Sequence, residues 1–272
     1  ILKVHTKTKS MGPDVDLSTI AKSTVGFTGA DLENLVNEAC LLAARKDKKA
    51  ITMEEIQEAT IKVIAGPEKK SHKVTPKEKR LTAFHEAGHA VCTYYCDHQD
   101  KVHQVSIIPR GMAGGYTMSL PEQDKSFVSK KEMEENIITL LGGRVAEQLV
   151  LDDISTGASN DIEQATKLAR SMVSRYGMSD EFGMVAMETV QSQYLGGDAS
   201  LTCSMETQTK IDKKVTEIIG EQYRRAIEML QEHMPKLHEI AKYLYEHETI
   251  TGEEFMQILN RPMLTQNPEQ AE

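Results

Sequence analysis

The sequence lacks three features that would place it in a membrane or outside the cell. No apolar run approaches the roughly 18 residues needed to cross a bilayer, so no segment is expected to span a membrane. The chain begins with Ile1 and shows no basic segment followed by an apolar one, so it carries no recognisable secretory signal. Its four cysteines are too few and too scattered for a disulfide framework, which favours a reducing compartment.

Basic residues are also in deficit. The chain has 32 Lys and Arg against 41 Asp and Glu, a net charge of −9 at pH 7. Because nucleic-acid phosphates are bound by clustered Lys and Arg, this balance argues against nucleic acid as the principal partner. With 39% hydrophobic and 27% charged residues, the composition is that of a globular protein rather than a disordered one. At about 150 residues per domain, the length predicts one or two domains.

Helical spacing of apolar residues dominates the N-terminal part of the chain. It predicts a short helix from Leu17, a longer helix over about 30–45 and a third helix that begins at Thr52. A polar, basic stretch with a proline follows and predicts a linker. The predicted divisions are a first unit at 1–65, the linker at 66–79, a second unit at 76–262 and a polar tail at 263–272.

The second unit is predicted to be mostly helical with a small sheet. The segment Thr75-Pro76-Lys77-Glu78 combines a cap, a proline at the first helical position and a capping-box acid, so a helix should run from there to about Tyr95. Alternating apolar residues predict strands over 102–109 and 115–120. Further helices are predicted at about 131–149, 161–176, 205–233, 235–247 and 251–260. The expected fold class is therefore mainly α with a small β-sheet.

The motif HEAGH at residues 85–89 lies within one of these predicted helices. His85 and His89 are four residues apart, so they share one helical face and lie about 6 Å apart along the axis. Both imidazoles can then reach one zinc ion at roughly 2.0–2.1 Å. Glu86 would lie beside the metal, where it can take a proton from metal-bound water whose pKa zinc lowers to about 7. The motif therefore predicts a hydrolytic zinc site.

A catalytic zinc needs a third protein ligand and one open position. Cys92 lies on the same face but about 10.5 Å along the axis from His85, too far for one ion on a straight helix. Two carboxylates on other helices are the remaining candidates. Asp161 would occupy a first helical turn just after a cap at Asn160, where the positive end of the helix favours a carboxylate. Glu147 is the alternative, and spacing alone does not choose between the two.

Several longer motifs, in this order, resemble the FtsH-type membrane-anchored AAA proteases. They are HEAGH, VSIIPRGMAGGYT, LLGGRVAEQLV and STGASNDIEQATKLAR, preceded by GFTGADLENLVNEACLLAARK, which resembles the helical lid of the AAA ATPase module. The resemblance covers about residues 1–260. It implies a helical AAA lid over 1–65, followed by a mostly helical, zincin-like protease domain over 76–262.

The resemblance also implies an activity and a setting. It implies a processive zinc endopeptidase with one Zn²⁺ per chain, fed with polypeptides by an ATPase ring and assembled as a homo-hexamer. In that family the third zinc ligand is the aspartate of the SNDI motif, which corresponds to Asp161. His85 and His89 keep their roles as ligands, and Glu86 its role as general base. Membrane attachment would come through segments before Ile1, with this part of the protein on the cytoplasmic side.

Four residues correspond to the substrate-binding edge strand of that family. They are Gly114, Gly115, Tyr116 and Thr117. A backbone at such an edge can pair with an extended peptide by adding a strand to the sheet. The resemblance therefore implies that a polypeptide substrate binds along these residues.

The nucleotide-binding machinery of the family is mostly missing. The chain contains no GxxxxGK[ST] phosphate-binding loop, so it is not expected to hydrolyse ATP. Gly29 and Ala30 match the lid segment that borders the nucleotide, and they could form at most a partial wall for it. ATP and Mg²⁺ would be cofactors only of a longer protein whose ATPase core precedes Ile1.

Two other functions compete with the peptidase. One is a scaffold or pseudo-protease that holds an ATPase ring together, but such proteins commonly lose a ligand or the base, and this chain has all of them. The other is a metal-dependent hydrolase of an ester or a different amide. The edge-strand signal and the ATPase lid favour polypeptide substrates instead.

Overall fold

The computed structural model describes residues 1–69, 74–111, 113–121, 125, 127–151, 153–190 and 199–261. Within these residues the helices are α1 Leu2–Thr6, α2 Leu17–Ser23, α3 Gly29–Arg45, α4 Met53–Ala65, α5 Pro76–Tyr95, α6 Lys130–Leu151, α7 Ser159–Ser174, α8 Met205–Glu232, α9 Met234–His247 and α10 Gly252–Asn260. The strands are β1 Val102–Ser106, β2 Tyr116–Ser119, β3 Glu188–Val190, β4 Ala199–Leu201 and β5 Thr249–Thr251. The prediction of a mainly α fold with a small sheet is confirmed, while the predicted tail at 263–272 lies outside the described residues.

The first four helices enclose a hydrophobic core of their own. Its fully buried members include Leu35 and Ala39 of α3 and Ile56 of α4. Capping boxes define where both helices begin, with Thr28 as the cap of α3 and Thr52 as the cap of α4. Each box satisfies backbone N–H groups that a helix start would otherwise leave without partners. The apolar residues at helical spacing in the first four helices thus form a hydrophobic core of their own.

Helix α5 is the central element of the rest of the chain. Every residue from Ala83 to Thr93 is buried, because α6, α9 and β1 all pack around this helix. A helix buried on all sides is normally apolar throughout. The polar residues His85, Glu86 and His89 are therefore placed in an otherwise apolar core, where each needs partners.

Two glycines allow α5 and α6 to approach closely. A Cβ atom at Gly142 would lie 2.7 Å from the backbone oxygen of Gly88 and 2.9 Å from Cys92 Sγ. A Cβ atom at Gly88 would lie 2.7 Å from the Cβ of Ala146. No side chain larger than hydrogen fits at either position without moving a backbone. The separation of the two helices is therefore set by this glycine pair.

A three-stranded antiparallel sheet in the order β2-β1-β5 packs against α5 through β1 and β2. Thr117 of β2 is the register partner of Val105 in β1, which in turn pairs with Ile250 of β5. Among the described residues, no strand pairs with the outer edge of β2. The strands are shorter than the predicted 102–109 and 115–120, and β5 is too short for periodicity to reveal.

The start of the predicted linker is not a free loop. Lys69 donates its backbone N–H to Pro109, and Gly111 donates to Pro67, so the segment pairs with the turn between β1 and β2. The Arg110 guanidinium, 5% exposed, donates to both carboxylate oxygens of Glu58 in α4 at 3.0 and 3.2 Å. These contacts join the four-helix unit to the sheet.

The close approach of α5 and α6 leads to a stability prediction. Gly142→Ala should lower the free energy of unfolding by about 3 kcal/mol, because its methyl group would overlap a backbone oxygen that cannot move aside. Denaturant unfolding followed by circular dichroism measures the change.

Gly220→Ala in α8 is the matched control. A Cβ atom there meets nothing within 4 Å, so this variant should gain up to about 1 kcal/mol from helix propensity. Equal stability of Gly142→Ala and the unmodified chain would contradict the packing described here.

Candidate metal centre

His85 and His89 occupy neighbouring turns of α5 and point to one side. Their Nε2 atoms lie 3.1 Å apart, and the ring centroids are 4.7 Å apart in an edge-on arrangement. The start of α5 is fixed by its capping box, in which Thr75 accepts from the backbone of Glu78 and Glu78 accepts in return. The two histidines therefore share one face of α5, as their spacing in the sequence predicts.

Asp161 completes the cluster from another helix. Its Oδ2 lies 3.4 Å from His85 Nε2 and 3.7 Å from His89 Nε2. One ligand atom from each of the three side chains lies within 4.8 Å of the other two. Two imidazoles and one carboxylate form a donor set typical of catalytic zinc.

Helix α7 does not begin as predicted. It begins at Ser159, with Ala158 at the N-cap position and no side-chain cap, so the predicted cap at Asn160 is wrong. Asp161 nevertheless lies in the first turn. Its carboxylate is therefore close to the positive end of the helix, as expected.

Glu147 lies on the far side of the His85 ring. Its Oε1 accepts the Nδ1–H of His85 at 2.7 Å, whereas the Nε2 of that ring faces Asp161. Ser155 donates both its backbone N–H and its hydroxyl to the Glu147 carboxylate, at 2.8 and 3.0 Å. This fully buried carboxylate therefore orients a ring, as carboxylates behind zinc-bound histidines do.

His89 is oriented by a backbone carbonyl. Its Nδ1 lies 2.8 Å from the oxygen of Thr139 in α6. A carbonyl oxygen only accepts, so Nδ1 carries the proton and the lone pair of Nε2 faces the cluster. The two histidines therefore both turn Nε2 inward, each because of a different acceptor behind the ring.

The space next to the two Nε2 atoms is kept open by Gly143. A Cβ atom there would lie 2.6 Å from Nε2 of both His85 and His89. Any larger residue would fill the position between the ligand atoms. The open space and the donor set both fit a zinc ion. Sequence reasoning overlooked Gly143 and Thr139, although the paired glycines in LLGGRVAE were a signal of close packing.

The electrostatics of the cluster favour a positive charge. Burial lowers the pKa of His85, but its hydrogen bonds to Asp161 and Glu147 raise it more, to about 9. Burial raises the pKa of the Asp161 carboxyl, but its interactions with the two histidines lower that pKa by more. The net result is a pKa well below the ordinary value for aspartate. The carboxylates around the histidines therefore favour a positive charge in the cluster, which a divalent cation would supply.

Glu86 is buried next to the histidines and faces β2. Burial raises the pKa of its carboxyl above the ordinary value for glutamate. Thr117 of β2 donates its hydroxyl to Glu86 Oε2 at 2.8 Å. A carboxylate with a raised pKa is a better proton acceptor than an ordinary glutamate.

The residues predicted to bind substrate lie along this strand. Tyr116 and Thr117 belong to β2, and Gly114 and Gly115 lead into it. A groove of about 280 Å³ runs along β2, with its other wall formed by residues of the four-helix unit, including Phe27. The structure thus brings the strand beside Glu86, and peptide binding there stays a prediction.

The residues predicted to border a nucleotide lie apart from this cluster in the chain's first unit. Gly29 and Ala30 form the first turn of α3 and are exposed. A Cβ atom at Gly29 would meet nothing within 4 Å. Their role stays a prediction.

In the part of the chain that is described, no helix combines the length and apolar character needed to cross a bilayer.

The geometry predicts how two substitutions change the affinity of the chain for zinc. The chain should bind about one zinc, and Asp161→Ala should abolish stoichiometric binding because it removes a ligand. Glu147→Gln should weaken zinc binding by about 10–100-fold, because Glu147 orients His85 and is not itself a ligand in this arrangement. Competition with a chromophoric chelator measures the three affinities.

Glu163→Gln is the matched control on α7. Glu163 is exposed, and its ion pair among the described residues is with Lys167, so its replacement should leave zinc affinity unchanged. Loss of zinc in Glu147→Gln with retention in Asp161→Ala would reverse the assignment of the two carboxylates.

Comparison with known proteins agrees with this geometry. Peptidase family M41 matches residues 72–258, and the AAA+ lid domain matches residues 14–58. A relative from Caldicellulosiruptor bescii named "ATP-dependent zinc metalloprotease FtsH" is 56% identical over 95% of this chain and 42% of its own length. One from Thermoanaerobacter sp., "ATP-dependent zinc metalloprotease FtsH 1", is 54% identical over 96% of this chain and 43% of its own.

A relative from Thermotoga maritima, also named "ATP-dependent zinc metalloprotease FtsH", is 48% identical over 96% of this chain. The chain spans 42% and 43% of the length of the first two relatives, so it corresponds to less than half of such proteins. The family match covers the histidine motif, Asp161 and the strand beside Glu86. The chain belongs to peptidase family M41, with an AAA+ lid domain at its N-terminal side.

Proposed function

We propose that this chain is the peptidase part of an ATP-dependent zinc metalloendopeptidase. The observation that carries the proposal is the convergence of His85 Nε2, His89 Nε2 and Asp161 Oδ2 beside a buried glutamate. In this proposal those three side chains hold Zn²⁺, and Glu86 is the general base. The names of the relatives support both the metal and the reaction.

A zinc ion at such a site supplies a coordinated water of pKa about 7 and polarises the carbonyl group of the scissile bond. The protein residues do the rest. His85 and His89 present their Nε2 lone pairs because Glu147 and the Thr139 carbonyl accept from Nδ1. Glu86 accepts the proton of the attacking water on its carboxylate and returns it to the leaving amine. Its raised pKa suits both transfers.

Substrate binding in this proposal uses the outer edge of β2, which pairs with no strand among the described residues. An extended polypeptide can add a strand to an unpaired edge, so main-chain groups give affinity without demanding one sequence. We propose that Gly114, Gly115, Tyr116 and Thr117 form this edge for the substrate. Since Thr117 touches Glu86, a peptide paired there runs past the general base.

The wider setting of the activity is also a proposal. Residues 1–65 would act as the lid of an AAA ATPase whose core lies elsewhere in a longer protein, and residues 76–262 as the peptidase. Gly29 and Ala30 would border ATP bound with Mg²⁺ by that core. The complete protein would be a membrane-anchored homo-hexamer with this part on the cytoplasmic side and polypeptides as substrates. The lid match and the words "ATP-dependent" in the relatives' names support the link to an ATPase.

Replacement of the general base tests the proposal. Glu86→Gln in the zinc-loaded chain should lower kcat for an unfolded, fluorescently labelled polypeptide by at least about 100-fold, because an amide cannot accept the proton. Zinc content, measured by elemental analysis, should stay near one per chain.

The outcome separates the competing functions. Cleavage by Glu86→Gln at the rate of the unmodified chain would refute the role of Glu86. A zinc-loaded chain that cleaves no polypeptide would favour a scaffold, whereas cleavage of small esters but not polypeptides would favour a different hydrolase.

A further inference from the structure

The carboxylate of Glu86 is held by a residue of the neighbouring strand. Thr117 Oγ1 lies 2.8 Å from Glu86 Oε2 and 3.2 Å from the backbone oxygen of Glu86. Both neighbours are acceptors, so the hydroxyl is the donor, and the shorter contact is with the carboxylate. A hydrogen bond to a charged acceptor is roughly twice as strong as one between neutral groups.

The strand itself directs this hydroxyl toward α5. Thr117 is paired in register with Val105 of β1, so its position along the sheet is fixed. Alternate residues of a strand point to opposite faces, which turns Thr117 toward Glu86 and its neighbours Tyr116 and Met118 away. The hydroxyl is therefore delivered by the sheet and not by a flexible loop.

Gly115 shapes the other side of the carboxylate. A Cβ atom at Gly115 would lie 2.8 Å from Glu86 Oε1 and 2.6 Å from the backbone oxygen of Ser106. The absence of a side chain thus leaves room for Oε1. Within the described part of the chain, Oε1 accepts no hydrogen bond, whereas Oε2 is occupied by Thr117.

We propose that Thr117 is a positioning residue for the general base. Its hydroxyl holds Oε2 so that Oε1 stays free for the proton of the reacting water. A glutamate side chain has three rotatable bonds, and an unheld carboxylate would populate several rotamers, of which few are productive. Loss of such orientation in a catalytic group lowers the rate of the chemical step more than substrate affinity.

The inference rests on the proposed function of Glu86 and adds a link to substrate binding. The strand that would pair with the peptide is also the strand that orients the base. A substrate seated along β2 and the carboxylate that serves it therefore share one rigid element, so their relative position does not depend on a separate loop.

Two substitutions at one position separate the hydroxyl from the bulk of the side chain. Thr117→Val keeps the shape and removes the donor, and Thr117→Ser keeps the donor. In the zinc-loaded chain, Thr117→Val should lower kcat for an unfolded polypeptide about 10-fold with KM changed less than about 2-fold. Thr117→Ser should retain kcat within about 3-fold. Thr166→Val removes the hydroxyl of a half-buried threonine of α7 that donates to the Ile162 carbonyl, and it should change neither constant.

A structural readout decides the matter independently of turnover. Crystal structures of the zinc-loaded chain should show Glu86 in one rotamer in the unmodified protein and in Thr117→Ser, and in displaced or multiple rotamers in Thr117→Val. Zinc content should be equal in all three. An undisturbed Glu86 in Thr117→Val, or equal kcat for the valine and serine variants, would overturn the proposal.

Failure of the proposed function would look different. An unmodified zinc-loaded chain that cleaves no polypeptide would refute the peptidase activity. The rotamers of Glu86 in the same crystals would still support or overturn the positioning role of Thr117.

Discussion

The close contact between α5 and α6 is the constraint on which the rest of the site depends. Gly88 and Gly142 bring the two backbones together, and Gly143 then lies directly over the two histidine rings. At this separation Glu147 and the Thr139 carbonyl reach the outer nitrogens of those rings. The glycines thus set the orientation of the two histidine rings.

The second requirement is that every buried polar group on α5 finds a partner. His85 is paired with Glu147, His89 with a carbonyl oxygen and Glu86 with Thr117. The hydrogen-bond partners of the two histidines therefore come from α6, and that of Glu86 comes from β2. Buried charges without such partners cost several kcal/mol each. The positions of α6, α7 and β2 are therefore coupled through one polar cluster, which explains how a small sheet and three helices form a defined site.

Sequence reasoning succeeded where the relevant geometry is local. The spacing of His85 and His89 defines a helical face, and capping boxes mark helix starts, so both were predictable. Spacing could not choose between Asp161 and Glu147, because both face His85 and differ only in which ring nitrogen they approach. The predicted cap at Asn160 was wrong because helix α7 begins at Ser159 without a side-chain cap, so the usual sequence signal for a helix start is absent. Thr117 was predicted as part of a strand edge, but its contact with Glu86 depends on how the sheet packs on α5.

We propose above that two histidines and Asp161 form one zinc site, with Glu147 behind it. The most direct measurement is an anomalous difference map, at the zinc absorption edge, from a crystal of the zinc-loaded chain. We expect one peak at about 2.0–2.2 Å from His85 Nε2, His89 Nε2 and an Asp161 carboxylate oxygen. A peak coordinated by Glu147 in place of Asp161, or a peak elsewhere in the chain, would contradict it.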